Sequence, residues 1–382
     1  MSGYRRIFAV LGVGVLAVIA AGGIDRAQDD PGGEPRTIEV AICLDSSGSM
    51  KPLIDAARLS LWDVVNELSQ VRPVPTVRVA LLGFGGRAEG GPQSGWVKVR
   101  APLTEDLDQV SAQLFEMTTG GGTEYVGRVL QTALDGLAWS EPGEDTLRMI
   151  FVAGNEPADQ DPEVDFREMA ADALEREFEL YVVYCGQETD PHAATWKELA
   201  ETAEGRFATL DLRAASSVVG TSVDREMARL GTELNRTYVG LGEQGKTGLK
   251  AVEAQDQKVE ALSLAAAAAR AETKAGALYG RNWDLIDSIA SGRTSLDEIE
   301  PTSLPKVMRG MTPDERSAYV ETVRGERERI RRQILDLSAQ RRRLVAEQAK
   351  KSGLDSSKTF DGIVRGAILQ ELGDRGYEAE GK

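Results

Sequence analysis

Three oxygen-bearing side chains stand at alternate positions directly after a stretch that is typical of a buried strand. Residues 38–44 are apolar and rich in β-branched residues, and Asp-Ser-Ser-Gly-Ser-Met follows them. Asp45, Ser47 and Ser49 therefore lie on a turn, and Pro52 favours a helix start just beyond it. Carboxylate and hydroxyl oxygens suit a hard cation such as Mg²⁺. Asp and Ser also cap helices without a metal, so this turn alone leaves both interpretations open.

A second polar turn lies much further along the chain. Gly-Gly-Gly precedes Thr123 between two predicted helices, at 107–117 and 125–137, and this places the threonine hydroxyl at a helix start. An apolar strand at 146–153 then runs into Gly154-Asn-Glu-Pro. In this combination the chain resembles the von Willebrand factor type A (vWA) family. The metal-ion-dependent adhesion site of that family combines D-x-S-x-S, a distant Thr and a later Asp-Gly.

The resemblance implies a metal site that lacks one of its usual acids. Four residues of this chain match the site of the family one by one: Asp45, Ser47, Ser49 and Thr123. Gly154 stands where the family usually has Asp, and Glu156, Asp159 or Asp161 could reach back from the same loop. Because the affinity of hard cations grows with the number of charged ligands, we expect a weaker site than a complete one.

A non-enzymatic protein-binding module is the function that the resemblance implies. Mg²⁺, or another divalent cation such as Ca²⁺ or Mn²⁺, would be under-neutralised by hydroxyls and would take an acidic group from a partner protein. The single histidine, His192, precedes a predicted helix and suits a surface or cap position better than that of a base. A structural cell-envelope protein with a vestigial metal site, assembling through its helical half, is the alternative.

The order of predicted elements indicates an α/β domain followed by an all-α region. Strands alternate with helices over residues 37–222, which predicts a doubly wound, mostly parallel sheet of the vWA or Rossmann-like kind. A short alternating strand at 96–99 reads as a sheet edge. Residues 223–382 carry helical patterns, including a helix over 249–279 and a long helix at about 313–351.

The long predicted helix carries apolar residues at roughly heptad spacing. These residues are Val323, Ile330, Ile334, Leu337 and Leu344. The pattern favours packing on a bundle of the same chain, and it leaves a coiled coil with a partner or self-association through the C-terminal helices as the alternative. The three arginines at 341–343 are expected to form a solvated face.

The N-terminal residues are typical of an exported protein. Arg5 and Arg6 precede an uncharged run at 7–24, which predicts either a cleaved signal over 1–27 or a retained membrane anchor, with a Pro/Gly/acid linker at 28–36. We expect a periplasmic or extracellular location, or an inner-membrane anchor facing outward. As a whole the chain resembles an exported bacterial vWA protein with a C-terminal helical region. The net charge of −16 argues against nucleic-acid binding.

Two further features bear on function. The two cysteines, Cys43 and Cys185, lie in predicted strands that a third strand separates in the vWA order, so they are expected to be free thiols. Residues 240–247 fit the phosphate-loop pattern G-x-x-x-x-G-K-[ST], which makes a nucleotide-binding device a third functional hypothesis. The stretch at 234–239 is short and polar rather than a buried strand, so we interpret 240–247 as a glycine-rich connector.

Overall fold

The computed structural model describes residues 36–212, 219–352, 359–375 and 378–379. The predicted export signal or anchor, and almost all of the predicted linker, lie outside these residues. Within the described part of the chain, no helix has both the length and the apolar composition that a membrane span requires.

A mostly parallel sheet forms the centre of the first half of the chain. Its strands run in the spatial order β4-β3-β1-β6-β7-β8, with β4 antiparallel at one edge and β5 paired to the end of β3. The strands of this sheet are β1 (Thr37–Asp45), β3 (Thr76–Gly86), β4 (Val97–Thr104), β5 (Gly121–Thr123), β6 (Thr146–Gly154), β7 (Glu179–Tyr184) and β8 (Arg206–Thr209). The short strand β2 (Val71–Arg72) lies outside it and pairs with residues 378–379. The predicted edge strand at 96–99 is therefore confirmed as part of β4.

Helices cover both faces of this sheet. They are α1 (Lys51–Leu68), α2 (Leu107–Glu116), α3 (Val126–Gly136), α4 (Phe166–Glu175) and α5 (Ala193–Thr202). One apolar core lies beneath α3, α4 and α5, and a second lies beneath α1 and α2. The predicted doubly wound fold is thus confirmed. Cys43 in β1 and Cys185 after β7 are both buried free thiols, as expected, because β6 runs between their strands.

The second half of the described chain is helical. Its elements are α6 (Asp224–Asn235), α7 (Gly242–Leu262), α8 (Leu264–Ala275), α9 (Leu285–Ala290), α10 (Pro313–Ser352), α11 (Phe360–Asp374) and a short strand, β9 (Glu378–Ala379). The prediction of one helix over 249–279 was wrong, because Ser263 has extended backbone angles. Its hydroxyl accepts a hydrogen bond from the Ala265 amide and so caps α8.

The long helix α10 begins as its sequence predicts and packs within the same chain. Thr312 and Glu315 hydrogen-bond each other's backbone amides, at 3.3 and 2.7 Å, which is a capping box. Ile330 and Ile334 are buried against α6 and α8. The solvated-face prediction was wrong for Arg341, which is buried and pairs with carboxylates of α1 and α6.

The helical region completes the core of the α/β half. Residues of the helical region join the apolar cluster beneath α1 and α2: Val259, Ala266, Ala269, Phe360, Ile363 and Ile368. Polar contacts cross the same junction. Asn66 of α1 donates to the Ala269 carbonyl at 2.8 Å, and the Arg270 guanidinium lies 4.7 Å from the Trp62 ring. The helical region therefore packs against α1, the helix that begins directly after the turn at residues 45–49.

Candidate metal centre

The two polar turns meet at the carboxyl edge of the sheet. The first follows Asp45 at the end of β1, where the Ser46 carbonyl accepts a 3.0 Å hydrogen bond from the Gly120 amide. The second is shaped by β5, in which Thr123 pairs with Gly85 at the end of β3. Parallel strands bring their carboxyl ends to one edge, so residues about 75 positions apart in the sequence become neighbours.

The two serines of the first turn face the same side. The Ser47 amide donates to Asp45 Oδ1 at 2.7 Å, which holds the carboxylate against the turn. The Ser47 and Ser49 hydroxyl oxygens lie 3.4 Å apart, and Ser47 is buried whereas Ser49 is exposed. Asn155, at the end of β6, donates from Nδ2 to the Ser49 hydroxyl at 3.1 Å. The hydroxyl pair thus connects the buried acid to solvent.

A second buried carboxylate, absent from the sequence prediction, lies beside Asp45. Glu124 is only 2% exposed, and a Cβ added to Gly85 would lie 2.7 Å from its Cγ and 2.9 Å from Asp45 Oδ1. Gly85 has φ of +75°, a conformation that other residues adopt at a cost. Both acids therefore approach the space that a bare glycine leaves open. In sequence, Glu124 resembles an ordinary acid before a helix, which is why the pattern did not reveal it.

The two carboxyl groups interact directly with each other, and each also interacts with Ser47. Asp45 Oδ2 and Glu124 Oε2 are buried and accept no hydrogen bond from an N–H or O–H group of the described residues. Burial and the neighbouring charge of Glu124 raise the pKa of Asp45 well above its ordinary value, and burial also raises the pKa of Glu124. Two buried acids whose oxygens accept no such hydrogen bond, beside hydroxyls, are a donor set that fits a divalent hard cation.

Gly154 cannot be replaced by an acid without displacing a tryptophan. A Cβ at this position would lie 2.9 Å from Cη2 of Trp196 and 3.3 Å from the Asp45 Cβ. The Trp196 indole is buried and donates from Nε1 to the Glu156 carbonyl at 2.6 Å, which fixes the ring in place. The position of the missing family acid is therefore filled by an aromatic ring, and the second carboxylate comes from another loop.

The three acids after Gly154 that the sequence suggested as ligands lie outside the cluster of Asp45, Ser47 and Ser49. Glu156 is half-exposed, and its carboxylate lies 3.6 Å from Nδ1 of His192, itself half-exposed. Asp159 is exposed. Asp161 pairs instead with Arg128 at 3.2 Å. Within the described residues, no group of three or more acidic, histidine or cysteine side chains is arranged to hold a metal. The two carboxylates that approach each other at this turn are those of Asp45 and Glu124.

The phosphate-loop pattern at 240–247 does not form a phosphate cradle. Residues from Gly242 onward are already in α7, so the interpretation as a connector was wrong. Gly240 and Gly245 pack together so closely that a Cβ on either would lie within 3 Å of the other's backbone. Lys246 pairs with Glu243, and the Thr247 hydroxyl donates to the Glu243 carbonyl at 3.1 Å. The loop that would surround a phosphate is closed on itself.

The fold and the site together define an α/β domain with a cluster of oxygen-bearing side chains at the carboxyl edge of its sheet. Residues 39–215 match the family model described as the von Willebrand factor type A domain, and this part of the chain is a vWA domain. Such domains are in general interaction modules rather than enzymes, often bind a divalent cation at this site, and are commonly extracellular or exported.

The chain is similar to several solved structures at low sequence identity. Proximal thread matrix protein 1 from the mussel byssus, with a zinc-occupied metal-ion-dependent adhesion motif, is 12% identical with a TM-score of 0.37, covering 47% of this chain and 43% of that one. An aerotolerance-related membrane protein from Bacteroides fragilis is 18% identical with a TM-score of 0.31, covering 46% and 92%. This chain thus spans under half of the mussel protein. Comparison with curated proteins found no match.

Proposed function

We propose that this chain is a non-enzymatic, metal-assisted protein-binding module. Its cation is held by two carboxylates and three hydroxyls: Asp45, Glu124, Ser47, Ser49 and Thr123. The observation that carries the proposal is the pair of buried carboxylate oxygens, Asp45 Oδ2 and Glu124 Oε2, that accept no hydrogen bond from an N–H or O–H group of the described residues. Leaving such groups unsatisfied costs free energy, and a bound divalent cation would remove that cost.

The donor set indicates the kind of ion and the kind of partner. All donors are oxygens, so we expect Mg²⁺, with Ca²⁺ or Mn²⁺ as other candidates. Two carboxylates balance the charge of a divalent ion, which makes the site stronger than the single matched acid of the sequence suggested. Five protein oxygens leave one position of an octahedral ion open, and a partner's carboxylate would be taken up there as a ligand rather than to neutralise the ion. Ser49 is the exposed member of the set, and an acidic side chain of a partner protein would approach from its side.

Calorimetric titration of the protein with Mg²⁺ tests the donor set. We expect Asp45→Ala to abolish binding and Glu124→Gln to weaken it about tenfold or more, since each removes one of two charged ligands. Asp159→Asn is the matched control, because its side chain is exposed and it is not among the groups that shift the pKa of Asp45 or Glu124. It should stay within about threefold of the unmodified protein. Loss of binding in Asp159→Asn with none in Glu124→Gln would contradict the assignment.

Capture of an acidic partner needs a separate test. Protein partners recovered from an envelope extract on the immobilised chain should be lost with a chelator and in Asp45→Ala, and restored to the unmodified chain by Mg²⁺. Partners that remain bound under both conditions would instead favour the structural alternative. In that alternative the protein assembles through its helical half, and the turn at residues 45–49 (the metal turn) is vestigial. The export signal or membrane anchor predicted at residues 1–27 would place this contact outside the cytoplasm.

A further inference from the structure

An apolar cavity of about 610 Å³ lies within the helical region, well apart in sequence from the metal turn. Its walls come from the start of α7, the turn at 302–309 and α10. Four apolar or aromatic side chains line its floor: Tyr238, Leu249, Leu304 and Tyr319. Val307, at its rim, is 56% exposed. The cavity therefore has a largely apolar interior, and one apolar side chain stands at its entrance.

The rim of this cavity is cationic, although the chain carries a net charge of −16. Lys246, Lys306 and Arg309 line it, and Glu243 is the acid among its lining residues. Arg309 is held in place by hydrogen bonds of 2.9 Å to the carbonyls of Thr302 and Leu304. Lys246 is paired with Glu243, so Lys306 and Arg309 supply the excess positive charge.

We propose that this cavity binds an amphiphilic monocarboxylate of the fatty-acid class. The alkyl chain lies on the apolar floor, and the carboxylate lies at the rim beside Lys306 and Arg309. A volume of about 610 Å³ is within the usual range for a small-molecule site. A nucleotide is disfavoured because the glycine-rich turn at the start of α7 is closed on itself. A bare anion would leave the apolar floor exposed to water.

Calorimetry of the full protein with decanoate tests this proposal. We expect saturable binding of one decanoate per chain, with decyltrimethylammonium, which has the same alkyl chain and the opposite charge, binding at least tenfold more weakly. Acetate, which has the charge without the chain, should not bind measurably. Failure of decanoate to bind at 1 mM, or equal binding of the two decyl compounds, would overturn the proposal.

Two charge reversals locate the binding. Lys306→Glu should weaken decanoate binding about tenfold, because it replaces attraction by repulsion at the rim. Lys350→Glu makes the same change on the exposed end of α10 and should leave the affinity unchanged. Both residues are exposed, so neither variant should unfold. Equal affinities in the two variants would overturn the assignment of the site. Mg²⁺ titration of both variants should be unaffected, which separates this result from any failure at the metal turn.

Discussion

At the scale of single residues, one of the two buried carboxylates at the polar turns of this chain differs in position from the acids of the family pattern. The family pattern has an acid after the central strand, and this chain has Gly154 there with the Trp196 ring filling the space beside it. Glu124 supplies a buried carboxylate from the opposite side, over the bare backbone of Gly85. The tryptophan and the glutamate therefore belong to one arrangement, in which the carboxylate count is kept but its origin differs.

Restoring the family acid should harm this protein. Gly154→Asp would place a Cβ 2.9 Å from the Trp196 ring, so we expect the free energy of unfolding to fall by about 2 kcal/mol or more. Urea unfolding measures this. Gly143→Asp is the control, because a Cβ there meets no atom within 4 Å, and its effect should stay below about 0.5 kcal/mol. A Gly154→Asp variant that is as stable as the unmodified protein and binds Mg²⁺ more tightly would contradict this prediction, because it would show that the Trp196 ring can move aside.

The sequence predicted part of this site and missed the rest for a physical reason. Part of the site is a local pattern, made of Asp45, Ser47 and Ser49. Each of these residues is two positions from the next, so their proximity follows from the sequence alone. Thr123 was placed by resemblance to a family. Glu124 depends on the left-handed turn at Gly85 and on the pairing of β5 with β3, which are tertiary features that no local spacing encodes.

At the scale of elements, a buried ionic cluster joins the α/β half to the helical region. Asp108 of α2 accepts hydrogen bonds from Tyr279 at 2.6 Å and from Arg281 at 2.7 Å, and it pairs with Arg270 of α8. Burial alone would raise the pKa of Asp108, but the charges of Arg270 and Arg281 outweigh it and lower the pKa to about 2.

This cluster should make the junction sensitive to acid. A pKa lowered in the folded state stabilises the protein above the unfolded pKa of about 4, and that contribution, about 2 kcal/mol, is lost as the pH falls towards 2. Asp108→Asn should therefore destabilise strongly at pH 7, and the difference should shrink as the pH falls. Urea unfolding across this range measures it, with exposed Asp297→Asn as the control. A constant difference would contradict the charge argument.

The central strands β1 and β6 were predictable because their apolar runs are long and bounded by turn residues, and the structure places them within a few positions of expectation. The edge strand β4 runs on to Thr104, beyond the predicted 96–99, and the short strands β2, β5 and β9 were not predicted.

Two helical details were not predicted either. The break at Ser263 is local, because the serine hydroxyl caps α8, but a serine beside an alanine-rich run is a weak signal in sequence. The burial of Arg341 depends on Asp63 and Asp224 of two other helices, which is packing between distant segments that no local pattern encodes.

At the scale of the whole molecule, the described chain has one continuous apolar core beneath α1 and α2, to which both halves contribute. We expect the full protein to unfold in a single calorimetric transition. The fragment 36–212 would expose Trp62 and Asn66 of α1, and it should melt at a lower temperature or aggregate. The full chain in the same buffer is the reference for the melting temperature of this fragment. Two separate transitions in the full chain would contradict a shared core.

Helix α1 begins directly after Met50 and packs against α8 and α11. Asn66, near the end of this helix, is thus rigidly connected to the turn at 45–49, about four to five helical turns away. On the proposed function, a genetic screen for lost partner binding would for that reason recover substitutions in the helical half as well as at the turn. Second-site suppression, by paired changes between α1 and the helical half, would distinguish residues that touch the partner from those that hold the turn in place.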